Sequence, residues 1–122
     1  GKIVLCDRFN DSSVVYQGYA RDLGMSNVKK FCQFISQDLT PDLTFYLDLD
    51  PKEGFARLKK SSGRTIDRIE EEDFSFHEKI REGFYHIAKE EPERFQMLDA
   101  SKSQEEVIEQ AMGILRSFLA KS

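Results

Sequence analysis

Only two cysteines, Cys6 and Cys32, occur in the chain, and neither stands in a Cys-x-x-Cys or Cys/His spacing that would suggest a metal site. Both sit among apolar neighbours and read as reduced, buried small hydrophobes. Long apolar runs are missing too: none approaches the ~18 residues of a membrane span. Nothing resembles a signal peptide, which makes the cytoplasm the default compartment. An excess of positive charge is also lacking. Against 18 Lys and Arg stand 22 Asp and Glu, interspersed, for a net charge of -4. A nucleic-acid footprint would need clustered cations, so no nucleic-acid partner and no membrane partner are expected. There is no internal repeat and no low-complexity segment. What is present suits one domain, or a piece of a somewhat larger one, with enough chain to bury a core.

Three short apolar runs, residues 3–6, 43–49 and 95–98, read as strands. The first and third are continuous rather than alternating, as in buried parallel strands. Helical pattern separates them, and the β-α-β-α-β order predicts an α/β fold with a parallel sheet and flanking helices. Asp11 or Ser12 caps a first helix carrying Val15, Tyr16 and Tyr19 and stopping near Gly24. Ser26 opens a second, with Val28, Phe31, Cys32 and Ile35 on one face. Pro51 starts a third through Phe55 and Leu58. From Glu72 a long helix repeats Phe76, Ile80, Phe84 and Ile87, an aromatic stripe that reads as core. The last runs from Ser103 to Leu119 on Val107, Ile108, Ala111, Ile114 and Leu115, and Ser103 with Glu106 forms a capping-box pattern.

Each run ends in an acid: Asp7 after the first, Asp48 and Asp50 at the second, Asp99 after the third. In an open parallel sheet these ends share the edge where ligands bind. Aspartate at a strand end also caps helices, and Asp50 and Asp99 taken singly read as structural. Asp7-Arg8 differs, because a guanidinium is the side chain best shaped to grip a phosphate through two parallel hydrogen bonds. Ser12 and Ser13 add hydroxyls at a helix start. Tyr16 and Gln17, one turn on, offer a flat ring and an amide to a sugar and a base. The two readings of Asp7-Arg8 are a phosphate or nucleotide site and a structural ion pair. Residues 59–72 break the helical pattern with a polar, basic, Gly-containing stretch, either a plain surface linker or a lid. Arg64 and Arg68 lie four apart within it, where mobile cations would stabilise a transferring phosphoryl group.

These stretches together resemble the C-terminal portion of bacterial-type thymidylate kinases. The resemblance is carried by Asp7-Arg8-Phe9 with Asp11-Ser12-Ser13-Val14-Val15-Tyr16-Gln17-Gly18, and by Pro41-Asp42-Leu43-Thr44 leading to Leu47-Asp48-Leu49-Asp50-Pro51. Asp67-Arg68-Ile69-Glu70, Phe76-His77, Arg81-Glu82-Gly83-Phe84, Glu93-Arg94-Phe95 and Asp99-Ala100-Ser101 complete it, in order, over nearly the whole chain. It implies residues 1–122 of a single P-loop nucleoside-monophosphate-kinase-like domain, with a lid at about 59–72. It implies phosphoryl transfer from ATP to dTMP with Mg2+, a step toward dTTP, by the complete protein. Arg8 would hold the dTMP phosphate, with Asp7 beside it near the phosphates and Mg2+. Ser12 and Ser13 would open the helix at that phosphate, Ser13 and Gln17 lying near the thymine. Tyr16 would lie against the deoxyribose, its bulk disfavouring a 2′-hydroxyl. Arg64, Arg68 and Asp7 would be the catalytic set, the two arginines reaching over ATP. Ala100 and Ser101 would border the adenine. A homodimer through the helices following Asp11 and Ser26 is implied as well.

One part of the family pattern has no match. A G-x-x-x-x-G-K-S/T loop, whose backbone N–H groups cradle the ATP phosphates, is not found, and Gly1-Lys2 leads into Ile and Val. In the family's sheet the strand before that loop lies between those represented by residues 3–6 and 43–49. The chain alone is therefore expected neither to catalyse nor to hold the native sheet. Two other readings stay open: a different P-loop deoxynucleoside or nucleotide kinase, and a non-catalytic fragment.

Overall fold

Two of the three expected strands form, and they pair in parallel. The computed structural model describes residues 1–62 and 71–121. In it β1 (Thr44–Asp48) lies beside β2 (Phe95–Asp99), with Thr44 opposite Phe95 and Asp48 opposite Asp99. The register brings both strand-end acids to one edge. Around the pair run α1 (Asn10–Ser13), a π-helix (Val14–Tyr19), α2 (Met25–Ile35), α3 (Pro51–Ser62), α4 (Glu71–Glu90) and α5 (Gln104–Lys121). The class is α/β, as the pattern predicts.

Residues 3–6 do not form the remaining strand. Ile3, Val4 and Leu5 are 69%, 84% and 91% exposed. A parallel strand is held by ladder hydrogen bonds and by cover on both faces, and the sheet among the described residues holds only β1 and β2. Cys6 follows the same correction: it is exposed, while Cys32 is buried as expected. No helix among the described residues is long and apolar enough to cross a membrane.

The core sits between the sheet, α4 and the π-helix. Val15, Ala20, Ile80, Phe84, Ile87 and Phe95 form its buried cluster. Tyr46 stacks on Phe84 with ring centroids 4.4 Å apart. The predicted first helix is split: four α-helical residues lead into the π-helix, where the Ala20 N–H donates to the Val15 carbonyl at 2.9 Å. Two glycines permit this packing. A Cβ at Gly83 would come within 2.9 Å of Val15 Cγ1, and one at Gly18 within 2.8 Å of the Met25 backbone. Neither position has room for a methyl group.

The capping box before α5 is present, with the Glu106 N–H donating to Ser103 Oγ at 3.2 Å. Of its predicted stripe, Ile108 is 54% exposed and Val107, Ala111, Ile114 and Leu115 are half-buried. On α2, Cys32 is buried, but Phe31 and Ile35 are exposed rather than packed inward.

Candidate functional site

Asp7, Arg8, Ser12 and Tyr16 line a single cleft of about 1560 Å³, whose lining also includes Asp50, His77 and Arg81. They reach it in three steps of chain. Asp7 and Arg8 lie in the segment before α1, Ser12 in α1, and Tyr16 in the π-helix. Ser13 and Gln17 lie on the same two elements but are exposed, and they are not part of the cleft wall. π-helical turns recur at functional sites because they re-aim side chains within a helix. Here one such turn carries Tyr16.

Arg8 adopts φ 64°, the left-handed region that a non-glycine residue rarely occupies. Its carbonyl accepts a weak hydrogen bond from the Cys6 thiol at 3.2 Å. Its guanidinium lies 5.4 Å from the centroid of the Tyr16 ring. No ion pair joins Asp7 to Arg8 among the described residues. The ion-pair reading of this dipeptide therefore fails. A cation resting on an aromatic face, with no carboxylate on it among the described residues, keeps its N–H donors available to an incoming anion.

The strand-end acids are each engaged. Asp48 accepts from Arg81 Nε at 2.9 Å, from Arg81 Nη2 at 3.3 Å and from the Tyr85 hydroxyl at 2.8 Å. That bond to Asp48 raises the Arg81 pKa, so the guanidinium is permanently charged. Asp50 accepts from the Lys52 N–H at 2.9 Å and caps α3, the structural role its position suggests. Asp99 accepts from the hydroxyl and the N–H of Ser101, and both bonds hold its carboxyl below the usual range.

Ala100 and Ser101 form the turn after β2, away from Arg8. The Ala100 N–H donates to the Asp48 carbonyl at 2.9 Å, and Arg57 donates to the Ala100 carbonyl at 3.0 Å. Arg57 thus ties α3 to the far end of the sheet.

A second arginine ties the near end. Arg94 donates to both carboxylate oxygens of Asp11, at 2.9 and 3.0 Å, and to both of Glu91, at 3.2 and 2.7 Å. The bond to Asp11 is the chief cause of its raised pKa, and Arg94 in turn lowers the pKa of Glu91. Neither Arg81 nor Arg94 is given a role by the sequence pattern. Asp48 lies 33 residues from Arg81 and Asp11 lies 83 from Arg94, so no local spacing points to these two pairs. Arg64 and Arg68 fall outside the described residues. Among the described residues no group of three or more His, Cys, Asp or Glu could hold a metal ion.

Comparison with known proteins gives this geometry a context. The family model for thymidylate kinase matches residues 1–111. The thymidylate kinase of Bacillus cereus is 43% identical over 117 residues, covering 96% of this chain and 56% of its own length. That of Bacillus velezensis is 45% identical over 121 residues, covering 99% and 57%. The chain thus spans a little over half the length of the curated relatives it matches.

Proposed function

From a chain that belongs to the thymidylate kinase family, we propose that the complete protein transfers the γ-phosphoryl group of ATP to dTMP, giving dTDP and ADP. The observation that carries the site assignment is the convergence of Asp7, Arg8, Ser12 and Tyr16 on one cleft. A phosphate oxygen of dTMP attacks the γ-phosphorus in line, and the bond from that phosphorus to the ADP oxygen breaks. Little covalent work falls to the protein, so its residues act by position and charge.

Arg8 holds the dTMP phosphate. The 5.4 Å approach of its guanidinium to the Tyr16 ring supports a ring lying against the deoxyribose, where its bulk disfavours a 2′-hydroxyl. Ser12 and Ser13 offer hydroxyls at the helix start, and Ser13 and Gln17, outside the cleft wall in this structure, would have to turn toward it to meet the thymine. Arg64 and Arg68 reach over ATP from the lid at about 59–72. Ala100 and Ser101, held by Arg57 and Asp99, border the adenine.

Mg2+ neutralises phosphate charge in such reactions and is commonly held by one or two carboxylates plus the phosphates themselves. Asp7, an exposed carboxylate on the cleft, fits that donor set. We place the protein in the cytoplasm. We propose a homodimer as well, formed through the exposed apolar face of α2 together with the helix that begins at Asn10.

Steady-state kinetics of the complete protein test the assignment. Arg8→Ala should weaken dTMP use by about 1.5–3 kcal/mol in kcat/KM, the worth of a hydrogen bond to a charged group. Arg64→Ala or Arg68→Ala should lower kcat by roughly a thousandfold with little change in dTMP affinity, since a lid arginine acts in the transition state. Unchanged rates in all three variants would remove the site assignment. Equal turnover of thymidine and dTMP would point instead to a deoxynucleoside kinase.

A further inference from the structure

The segment carrying Arg8 does not rest on a strand of its own, because residues 3–6 are exposed. In this structure side-chain bonds fix the start of α1 against the rest of the fold. The Asn10 amide donates to Ser36 Oγ at 3.1 Å, which ties α1 to the end of α2. The tie to the sheet is Asp11. Its two oxygens meet Arg94 Nη2 at 3.0 Å and Nη1 at 2.9 Å, and the two side chains are only 19% and 14% exposed.

Arg94 is itself saturated. Besides its bonds to Asp11, Nη1 donates to Thr44 Oγ1 at 3.3 Å, and Nε and Nη2 donate to the two oxygens of Glu91. A guanidinium has five N–H donors in a rigid fork, and these contacts use all of them. Thr44 opens β1, and its backbone N–H donates to the Arg94 carbonyl at 2.8 Å. Arg94, the residue before β2, therefore joins the first residue of β1, Glu91 just after α4 and the first turn of α1.

We infer that Arg94, acting through Asp11, is a positioning residue for the monophosphate acceptor. It sets where α1 begins, and so where Arg8, two residues before that start, and Ser12 and Tyr16, after it, present themselves to the cleft. Arg94 is not placed to touch the substrate. Its effect is geometric, and a displacement of about 1 Å in a phosphate clamp is enough to cost up to a hundredfold. A lysine cannot substitute, because a single ammonium cannot span two carboxylates in a fork. The inference rests on the reading of Arg8 as the phosphate clamp.

The test uses the complete protein with Arg94→Lys, Asp11→Asn, the double variant and Arg8→Ala as a benchmark. Michaelis constants for dTMP and ATP are measured separately, alongside a thermal melt. Arg94→Lys and Asp11→Asn should each raise the dTMP constant by about tenfold or more while leaving that for ATP within about twofold. The double variant should be no worse than the worse single one, as expected of two residues acting as a unit. If Arg94→Lys does not fold, Asp11→Asn, which keeps the shape of the side chain, carries the same readout. Both constants moving together, or neither moving while Arg8→Ala still weakens dTMP, would overturn the inference alone. If Arg8→Ala leaves dTMP binding intact, the acceptor reading falls and this inference with it.

Discussion

Tyr46 sits in the middle of β1, stacked on Phe84 with Phe95 6.0 Å away on the same side of the core. Burial, followed by the charge of Asp48, pushes its hydroxyl well above the ordinary 10.0. A raised pKa means that the folded state keeps the proton longer than the unfolded chain does. The associated stability is intact below pH 10 and is lost as the pH rises through the folded value. Tyr85 shifts the same way, first by burial and then by its bond to Asp48. Each such group adds at most about 1.4 kcal/mol of lost stability per pH unit, less where solvent screens it. Tyr46→Phe keeps the stack and removes one titrating proton. We expect it to melt like the parent at pH 8 and to lose less stability by pH 11, and equal losses in both proteins would refute this account. At this scale the sequence shows a good deal. Asp50 caps a helix, Ser103 with Glu106 forms its box, and the aromatic stripe of α4 is core. What it hides are roles set by distant partners, as when Asp48 receives Arg81 and Asp11 receives Arg94.

The elements were legible where their periodicity was local. α3, α4, α5, β1 and β2 all lie close to where apolar spacing puts them. The first helix was not, because the i to i+5 geometry of the π-helix answers to tertiary contact at Gly18 and Gly83 rather than to any repeat in its own residues. α2 shows the opposite case. Its period is plainly helical, but only Cys32 is buried, while Phe31, Phe34 and Ile35 are 64%, 84% and 63% exposed. Leu23 and Leu39 flank them at 60% and 65%. A cluster of large apolar side chains this exposed marks an interaction surface. If that surface is the dimer contact, Phe34→Glu in the complete protein should weaken self-association by about 2 kcal/mol or more, the range of a central aromatic contact. Such an exposed residue should leave the melting temperature of the monomer unchanged. Sedimentation equilibrium checks this, and an unaltered dimer, or a parent protein that is monomeric throughout, would remove α2 from the interface.

For the molecule as a whole, the strand arrangement decides more than any one side chain. Among the described residues β1 pairs with β2 on one side only, so its other edge has a row of backbone groups without a strand partner there. Beside that edge lies the 1560 Å³ cleft, lined by Leu43, Phe45, Leu49, Phe55 and Phe118 among others. Ile3, Val4 and Leu5 line it too, yet remain largely exposed. Burying a side chain of this kind fully is worth about 1.5–3 kcal/mol, so the three together forgo a sum comparable to the ~5–15 kcal/mol that holds a whole domain folded. The acids at the ends of β1 and β2 and the helices α3 to α5 were readable from residues alone, but the unpaired state of residues 3–6 was not. A strand's stability belongs to its neighbours as much as to itself. We expect the 122-residue chain by itself to bind a hydrophobic dye and to melt over a broad range of temperature. If the complete protein sets a further strand on the open edge of β1, it should melt sharply and bind little dye. A sharp monomeric transition in the 122-residue chain would mean that the two-stranded sheet and its helices suffice. The open edge and the cleft would then have to be features of a stable fold rather than the seat of a missing strand.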